Sequence, residues 1–121
     1  GCGNLLSLDV SSFDTSNVTS MGTMFGYCSK LVELDVSSFD TRNVTIMSTL
    51  FYNCGSLVDL NLSHFNTSNV TTMWNMFSEC GKLTNLDLSS FDTRNVKSMS
   101  YMFYSCSNLV SIDQKFRFRS F

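Results

Sequence analysis

Residues 28–54 read C-S-K-L-V-E-L-D-V-S-S-F-D-T-R-N-V-T-I-M-S-T-L-F-Y-N-C. The stretch closes on the residue type that opened it, and the next stretch repeats it. Leu31, Leu34, Val36, Phe39, Asn43, Val44, Met47, Leu50, Phe51 and Cys54 are followed at the same spacing by Leu57, Leu60, Leu62, Phe65, Asn69, Val70, Met73, Met76, Phe77 and Cys80. Cysteine marks the period at Cys2, Cys28, Cys54, Cys80 and Cys106, every 26 residues, and no insertion or deletion breaks the register before about Asp113. A repeat of this length signals coils that stack, each touching only its neighbours.

One unit can be read element by element. Leu34 and Val36 alternate with Glu33, Asp35 and Ser37, which predicts a short strand near Glu33–Ser37, with Leu31 entering the same core. Asp40, Thr41 and Asn43 make a turn, because their side chains bond nearby backbone, and Phe39 tucks in beneath it. Val44 and Met47 predict a second strand. Met47, Leu50, Phe51 and Cys54 then carry the spacing of one apolar helix face, repeated as Met21/Met24/Phe25/Cys28, Met73/Met76/Phe77/Cys80 and Met99/Met102/Phe103/Cys106. Thr45 or Ser48 could cap such a helix. It would be too short to stand without its neighbours.

Composition narrows the function classes. The chain has 121 residues, 43% hydrophobic and 15% charged, with net charge −2 and no proline. It is too apolar for disorder and too neutral to bind nucleic acid by neutralising phosphates. Its apolar runs are too short for direct membrane insertion. The chain opens at Gly1 in mid-repeat and so reads as a fragment or mature product of something longer. Ser, Thr and Asn replace surface charge, a composition common in secreted repeat proteins.

The unit C-x-x-L-x-x-L-D-[VL]-S-x-F-[DN]-T-x-N-V-x-x-M-x-x-[ML]-F-x-x-C resembles the BspA-like leucine-rich repeats of bacterial surface proteins, most closely the type found in Mycoplasma and Lactobacillales surface lipoproteins. The matching phrases are Leu8–Phe25, Leu34–Phe51, Leu60–Phe77 and Leu86–Phe103. The resemblance implies a solenoid outside the cell, in adhesins and anchored surface proteins, with no catalytic residues to carry over. The expected fold is an α/β repeat solenoid, a leucine-rich-repeat-like right-handed coil with two short parallel β-sheets and a column of short helices. Residues 1–113 would form about four and a half repeats. Residues 114–121, where Phe116, Phe118 and Phe121 alternate with Lys115, Arg117 and Arg119, leave the pattern and read as a tail or cap.

The recurring polar residues admit several chemistries. The cysteines could be a disulfide framework or metal ligands. Five is an odd number, however, and a straight row cannot surround zinc tetrahedrally, so a buried reduced row is expected and no metal site. Asp9, Asp35, Asp87 and Asp113 align with Asn61, and Asp14, Asp40 and Asp92 with Asn66. Such rows could bind calcium or accept bonds from nearby turn amides. Thr15, Thr41, Thr67 and Thr93 align, as do Thr19, Thr45 and Thr71 with Lys97. These rows fit an ice-binding face or ordinary strand and turn chemistry. Asn17, Asn43, Asn61, Asn66 and Asn69 stand in N-x-[ST] sequons, but Asn95-Val96-Lys97 keeps the Asn and loses the Thr, which favours a backbone role. His64, the single histidine, has no nucleophile set beside it by any motif. No catalytic residue and no cofactor is expected.

Recognition is expected where the coils differ, since those positions carry no packing duty. They include Arg42 and Arg94, and the aromatics Tyr27, Tyr52, Trp74, Tyr101 and Tyr104. Exposed aromatics suit protein or glycan ligands. The reading from sequence is therefore a non-catalytic extracellular binding or adhesion module at a cell surface. The alternative is a structural subunit that self-associates end to end into filaments.

Overall fold

The computed structural model describes residues 2–112, so the expected cap over residues 114–121 and the aspartate at the end of the acidic row, Asp113, lie outside it. The chain winds into coils stacked in register. Parallel bridges join Ser20 to Ile46, Ile46 to Thr72, and Thr72 to Ser98, and a second column joins Asp59 to Asn85. The last bridge continues into two short strands, β1 (Asn85–Leu86) and β2 (Ser111–Ile112), paired in parallel.

The expected α/β class does not hold. Among the described residues there is no α-helix, and regular strand is confined to β1 and β2, so neither the column of short helices nor the two short parallel sheets of the expected fold is present. The segment read as a helix, Met47–Cys54, is a run of tight turns. Leu50 N–H donates to the Met47 carbonyl, Tyr52 to Thr49, and Cys54 to Phe51. The amides between them point to the next coil: Met47 donates to Thr72, Thr49 to Trp74, Phe51 to Met76 and Asn53 to Ser78, at 2.8–3.0 Å. Turn bonds and coil-to-coil bonds thus alternate residue by residue, the units Met21–Cys28 and Met73–Cys80 repeat the scheme, and Met99–Cys106 keeps its turn bonds.

This arrangement excludes a helix for a steric reason. Coils bonded backbone to backbone sit roughly 4.8 Å apart. Packed helices need about 8–10 Å between axes. The ring stacks confirm the close spacing, with centroid separations of 5.8 Å for Phe25–Phe51, 5.7 Å for Phe51–Phe77 and 5.6 Å for Phe77–Phe103. The turns also require left-handed backbone. Thr49 and Asn53 have φ of 58° and 56°, and their counterparts in the other coils are left-handed too, with Thr23 at 61°, Tyr27 at 65°, Asn75 at 56° and Glu79 at 62°. No glycine serves there, and each such residue costs about 1–2 kcal/mol, which the ladder bonds on both sides offset.

The turns nevertheless direct the apolar residues of that segment inward. Met47, Leu50, Phe51 and Cys54 are fully buried, as are Met73, Met76 and Phe77, and they join Leu31, Val36, Phe39 and Val44 in one continuous core.

Where the backbone ladder lapses, a buried threonine takes over. Asp40 N–H donates to Thr15 Oγ1 at 2.8 Å, and the same hydroxyl donates to the Asp40 carbonyl at 3.1 Å. Thr41 does this for Asn66, and Thr67 for Asp92. The threonines Thr15, Thr41 and Thr67 are buried, so they cannot form an outward ice-binding face. Replacing Thr41 with Val keeps its shape but removes both bonds from the Asn66 backbone. Thr41→Val is therefore expected to lower stability by about 1–3 kcal/mol in urea denaturation, with Thr41→Ser closer to the parent.

Candidate functional site

The nominated aromatic residues lie on the strip that carries the inter-coil ladder. Tyr27, Trp74, Tyr101 and Tyr104 are exposed, and Tyr52 is half-buried. The structure brings some of them together. Tyr27 and Tyr52 meet edge to face across adjacent coils, with centroids 5.1 Å apart. Tyr101 and Tyr104 meet in the same way within one coil at 5.9 Å. Glu79 lies near Tyr52, and its charge raises the ionisation of that phenol above the ordinary range. Trp74 is 44% exposed at a position where the other coils have Gly22, Ser48 and Ser100.

Arg42 and Arg94 do not join this group. They stand on the Asp-Thr turn, each tied to its own aspartate: Arg42 Nε lies 3.1 Å from Asp40 Oδ2, and Arg94 Nη2 lies 2.8 Å from Asp92 Oδ2. Ser16 and Ser68 hold the same place in the alternate coils. These ion pairs are exposed and add little to stability.

The polar rows resolve into backbone chemistry. Asp9, Asp35, Asn61 and Asp87 each accept a bond from the amide two residues on, at 2.9–3.0 Å. Asp14, Asp40, Asn66 and Asp92 do the same at the second turn. Bonds from Ser11, Ser37 and Ser89 hold the carboxyls of Asp9, Asp35 and Asp87 below their usual range. Among the described residues, no group of three or more His, Cys, Asp or Glu is placed to hold a metal ion.

The sequon asparagines also serve the stack. Asn43, Asn69 and Asn95 donate through Nδ2 to the carbonyls of Ser16, Arg42 and Ser68 in the preceding coil, at 2.7–2.8 Å. This bond accounts for Asn95 persisting where the sequon is lost. His64 Nε2 sits 2.6 Å from the Val36 carbonyl, doing what Ser38 and Ser90 do with their hydroxyls. It is a positional substitute for serine.

One surface feature was not foreseen from sequence. A groove of about 690 Å³ runs across the first coils, lined by Ser7, Asp9, Glu33, Asp35, Asp59 and Asn61 over a floor of Leu8, Leu34 and Val36. A shallower one of about 400 Å³ continues past Asn61, Asn85 and Asp87. The signal was present in the acids Glu33 and Asp59, two residues before the aspartate row, but concavity cannot be read from a repeat pattern.

The family described as "Mycoplasma protein of unknown function, DUF285" matches residues 3–59 and 32–120. The chain belongs to the DUF285 family. The curated proteins and the solved structures give no match. The two overlapping DUF285 matches together cover nearly the whole chain, as a repeat-type protein would produce. Among the described residues, no helix is long and apolar enough to cross a membrane.

The cysteine row is the most buried reactive chemistry in this DUF285 chain. All five thiols are free. Cys28, Cys54 and Cys80 are buried, whereas Cys2 is exposed. Cys54 donates to the Phe25 carbonyl at 3.1 Å and Cys80 to that of Phe51 at 3.2 Å. Burial pushes the Cys54 thiol up to about 12 from 9.0, and burial pushes Cys80 up as well. A thiol that keeps its proton longer when folded stabilises the fold below about pH 9. That contribution is lost as pH climbs toward the folded value, by at most about 1.4 kcal/mol per pH unit per thiol. The urea midpoint is thus expected to fall between about pH 8 and pH 10.5, and Cys54→Ala with Cys80→Ala to flatten that fall. In thiol labelling of the native protein, Cys2 should react first.

Proposed function

We propose that this chain is a non-catalytic binding module of a BspA-like cell-surface repeat protein, acting outside the cell in adhesion. The observation that carries the reading is a division of labour around each coil. Residues that repeat are mostly buried or spent on turn and coil-to-coil bonds, and among the positions that differ between coils Trp74, Tyr101 and Tyr104 stand outside, although Ser48 and Ser78 at sister positions are buried. Trp74 is the clearest case, a large exposed ring where the sister coils place Gly22, Ser48 and Ser100. Exposed aromatic patches on a rigid scaffold are the usual mark of recognition. The hydroxyl-rich exterior and DUF285 membership support the cell-surface setting.

The sister coils also supply safe substitutions. Trp74→Ser and Tyr101→Thr install residues that the same positions already accept at Ser48 and Thr49. On an array of extracellular-matrix proteins and glycans, the parent chain is expected to bind, and the two changes together to weaken the hit about tenfold. Unchanged binding would place the recognition surface elsewhere.

A second reading is end-to-end self-association, in which the coils of one copy stack on those of another with Phe13 and Met24 at the contact. Light scattering of the 121-residue chain over a concentration series tests this. Open-ended growth supports stacking, and Phe13→Glu with Met24→Lys should abolish it; constant mass contradicts it.

A further inference from the structure

The ladder strip is almost without charge. Residues 22–27, 48–53, 74–79 and 100–105 hold a single charged side chain, Glu79. Around the exposed rings stand hydroxyls and amides, Thr23, Asn75 and Ser100 among them. The remaining charges stand outside these stretches, among them the carboxylates Asp9, Glu33, Asp35 and Asp59 in the groove, Arg42 and Arg94 on the Asp-Thr turn, and Lys30, Lys82 and Lys97 a few residues beyond the stretches.

We infer that this strip binds neutral carbohydrate, with a linear glycan lying across the coils and its sugar rings against the aromatic side chains. The inference rests on the binding-module reading and names its ligand class. A sugar ring offers a C–H face, which packs on the face of an aromatic ring, and a rim of hydroxyls, which pair with neutral amides and hydroxyls. The strip supplies both. Within the four stretches there is no counter-charge to an anionic ligand and only Glu79 for a cationic one. Protein interfaces favour arginine beside their aromatic anchors, and the two exposed arginines with aspartate partners are on another turn.

The rings are held in place before any ligand arrives. Their backbone belongs to the ladder: Tyr27 N–H donates to the Tyr52 carbonyl at 2.7 Å, Thr49 N–H to Trp74 at 3.0 Å, and Glu79 N–H to Tyr104 at 2.7 Å. The edge-to-face pairs Tyr27–Tyr52 and Tyr101–Tyr104 restrain the side chains further. Pre-ordering of this kind reduces what binding must spend on immobilising rings. From the coil of Tyr27 to that of Tyr104 is three ladder steps, roughly 14 Å, enough for a short oligosaccharide.

Affinity electrophoresis of the full 121-residue chain tests this, in native gels cast with laminarin, hydroxyethyl cellulose, mannan or dextran, and with dextran sulfate for comparison. Trp74 is the single tryptophan, so its emission reports the same event in solution. The expected result is retardation in at least one neutral gel with a saturable change in emission. Trp74→Ser, and Tyr101→Thr with Tyr104→Ser, should each weaken retardation about fivefold or more. These changes copy sister coils, so urea denaturation should show them folded, and Arg42→Ser and Asp35→Asn should bind like the parent. Absence of retardation in all four neutral gels overturns the inference, as does retardation that the aromatic changes leave within about twofold. If Trp74→Ser weakens a matrix-protein hit on the array while no neutral gel retards the chain, the binding module stands and the carbohydrate assignment falls. If neither assay responds to Trp74→Ser, both fall.

Discussion

Each coil must satisfy its backbone amides and carbonyls against both neighbours at one close spacing, and that constraint shapes everything else in this molecule. Over Met47–Asn53 the constraint is met by alternation, one amide closing a turn within the coil and the next reaching the adjacent coil. Where backbone cannot reach backbone, side chains substitute. Thr15, Thr41 and Thr67 pair with the backbone of the next coil, and Asn43, Asn69 and Asn95 reach back to the preceding one. Among the described residues, no buried side-chain nitrogen or oxygen is left without a partner. In a stack whose buried interior is apolar, such satisfaction keeps the desolvation of polar groups from opposing folding.

The same constraint separates architecture from recognition. Leucine, phenylalanine, methionine and cysteine fill the interior because the turns aim them there. The polar rows that look like binding chemistry in the sequence, the aspartates and the sequon asparagines, are occupied by turn and ladder bonds. What remains for a partner is the set of side chains that vary without disturbing the stack. Chief among these is the aromatic strip around Trp74, set apart from the Arg42 and Arg94 turn and from the carboxylate groove.

The stacking register, the core residues and the exposed aromatics could be read from the sequence. The period places every cysteine and every Phe25-type residue in a column, and chemistry at columns follows from repetition alone. The conformation of the Met47–Cys54 segment could not be read in this way. Positions Met47, Leu50, Phe51 and Cys54 turn inward both on a helix and on consecutive tight turns, so periodicity does not distinguish them. A glycine would have marked the left-handed positions, but Thr49 and Asn53 occupy them. The pattern also hid the burial of Thr41, because threonine is as common on a surface as beneath one. The distinguishing fact is that the ladder runs through Met47–Asn53 itself, and a segment bonded at strand distance to the next coil leaves no room for a helix there. For the candidate site, the exposed tyrosines and Trp74 were identifiable as departures from the repeat. Their pairing, the detachment of Arg42 and Arg94 from them, and the groove all depend on which coil faces which, and on curvature.

The amide of Phe51 separates the two architectures directly. In a helix it would donate to Met47, four residues back; in the stacked coil it donates to Met76 of the next unit at 3.0 Å. Scalar coupling across hydrogen bonds, measured by NMR on the isotopically labelled chain, identifies the acceptor. Coupling from the Phe51 amide to the Met76 carbonyl, with the Met47 and Asn53 amides coupled to Thr72 and Ser78, is the result this account predicts. Coupling from Phe51 to Met47 would contradict it.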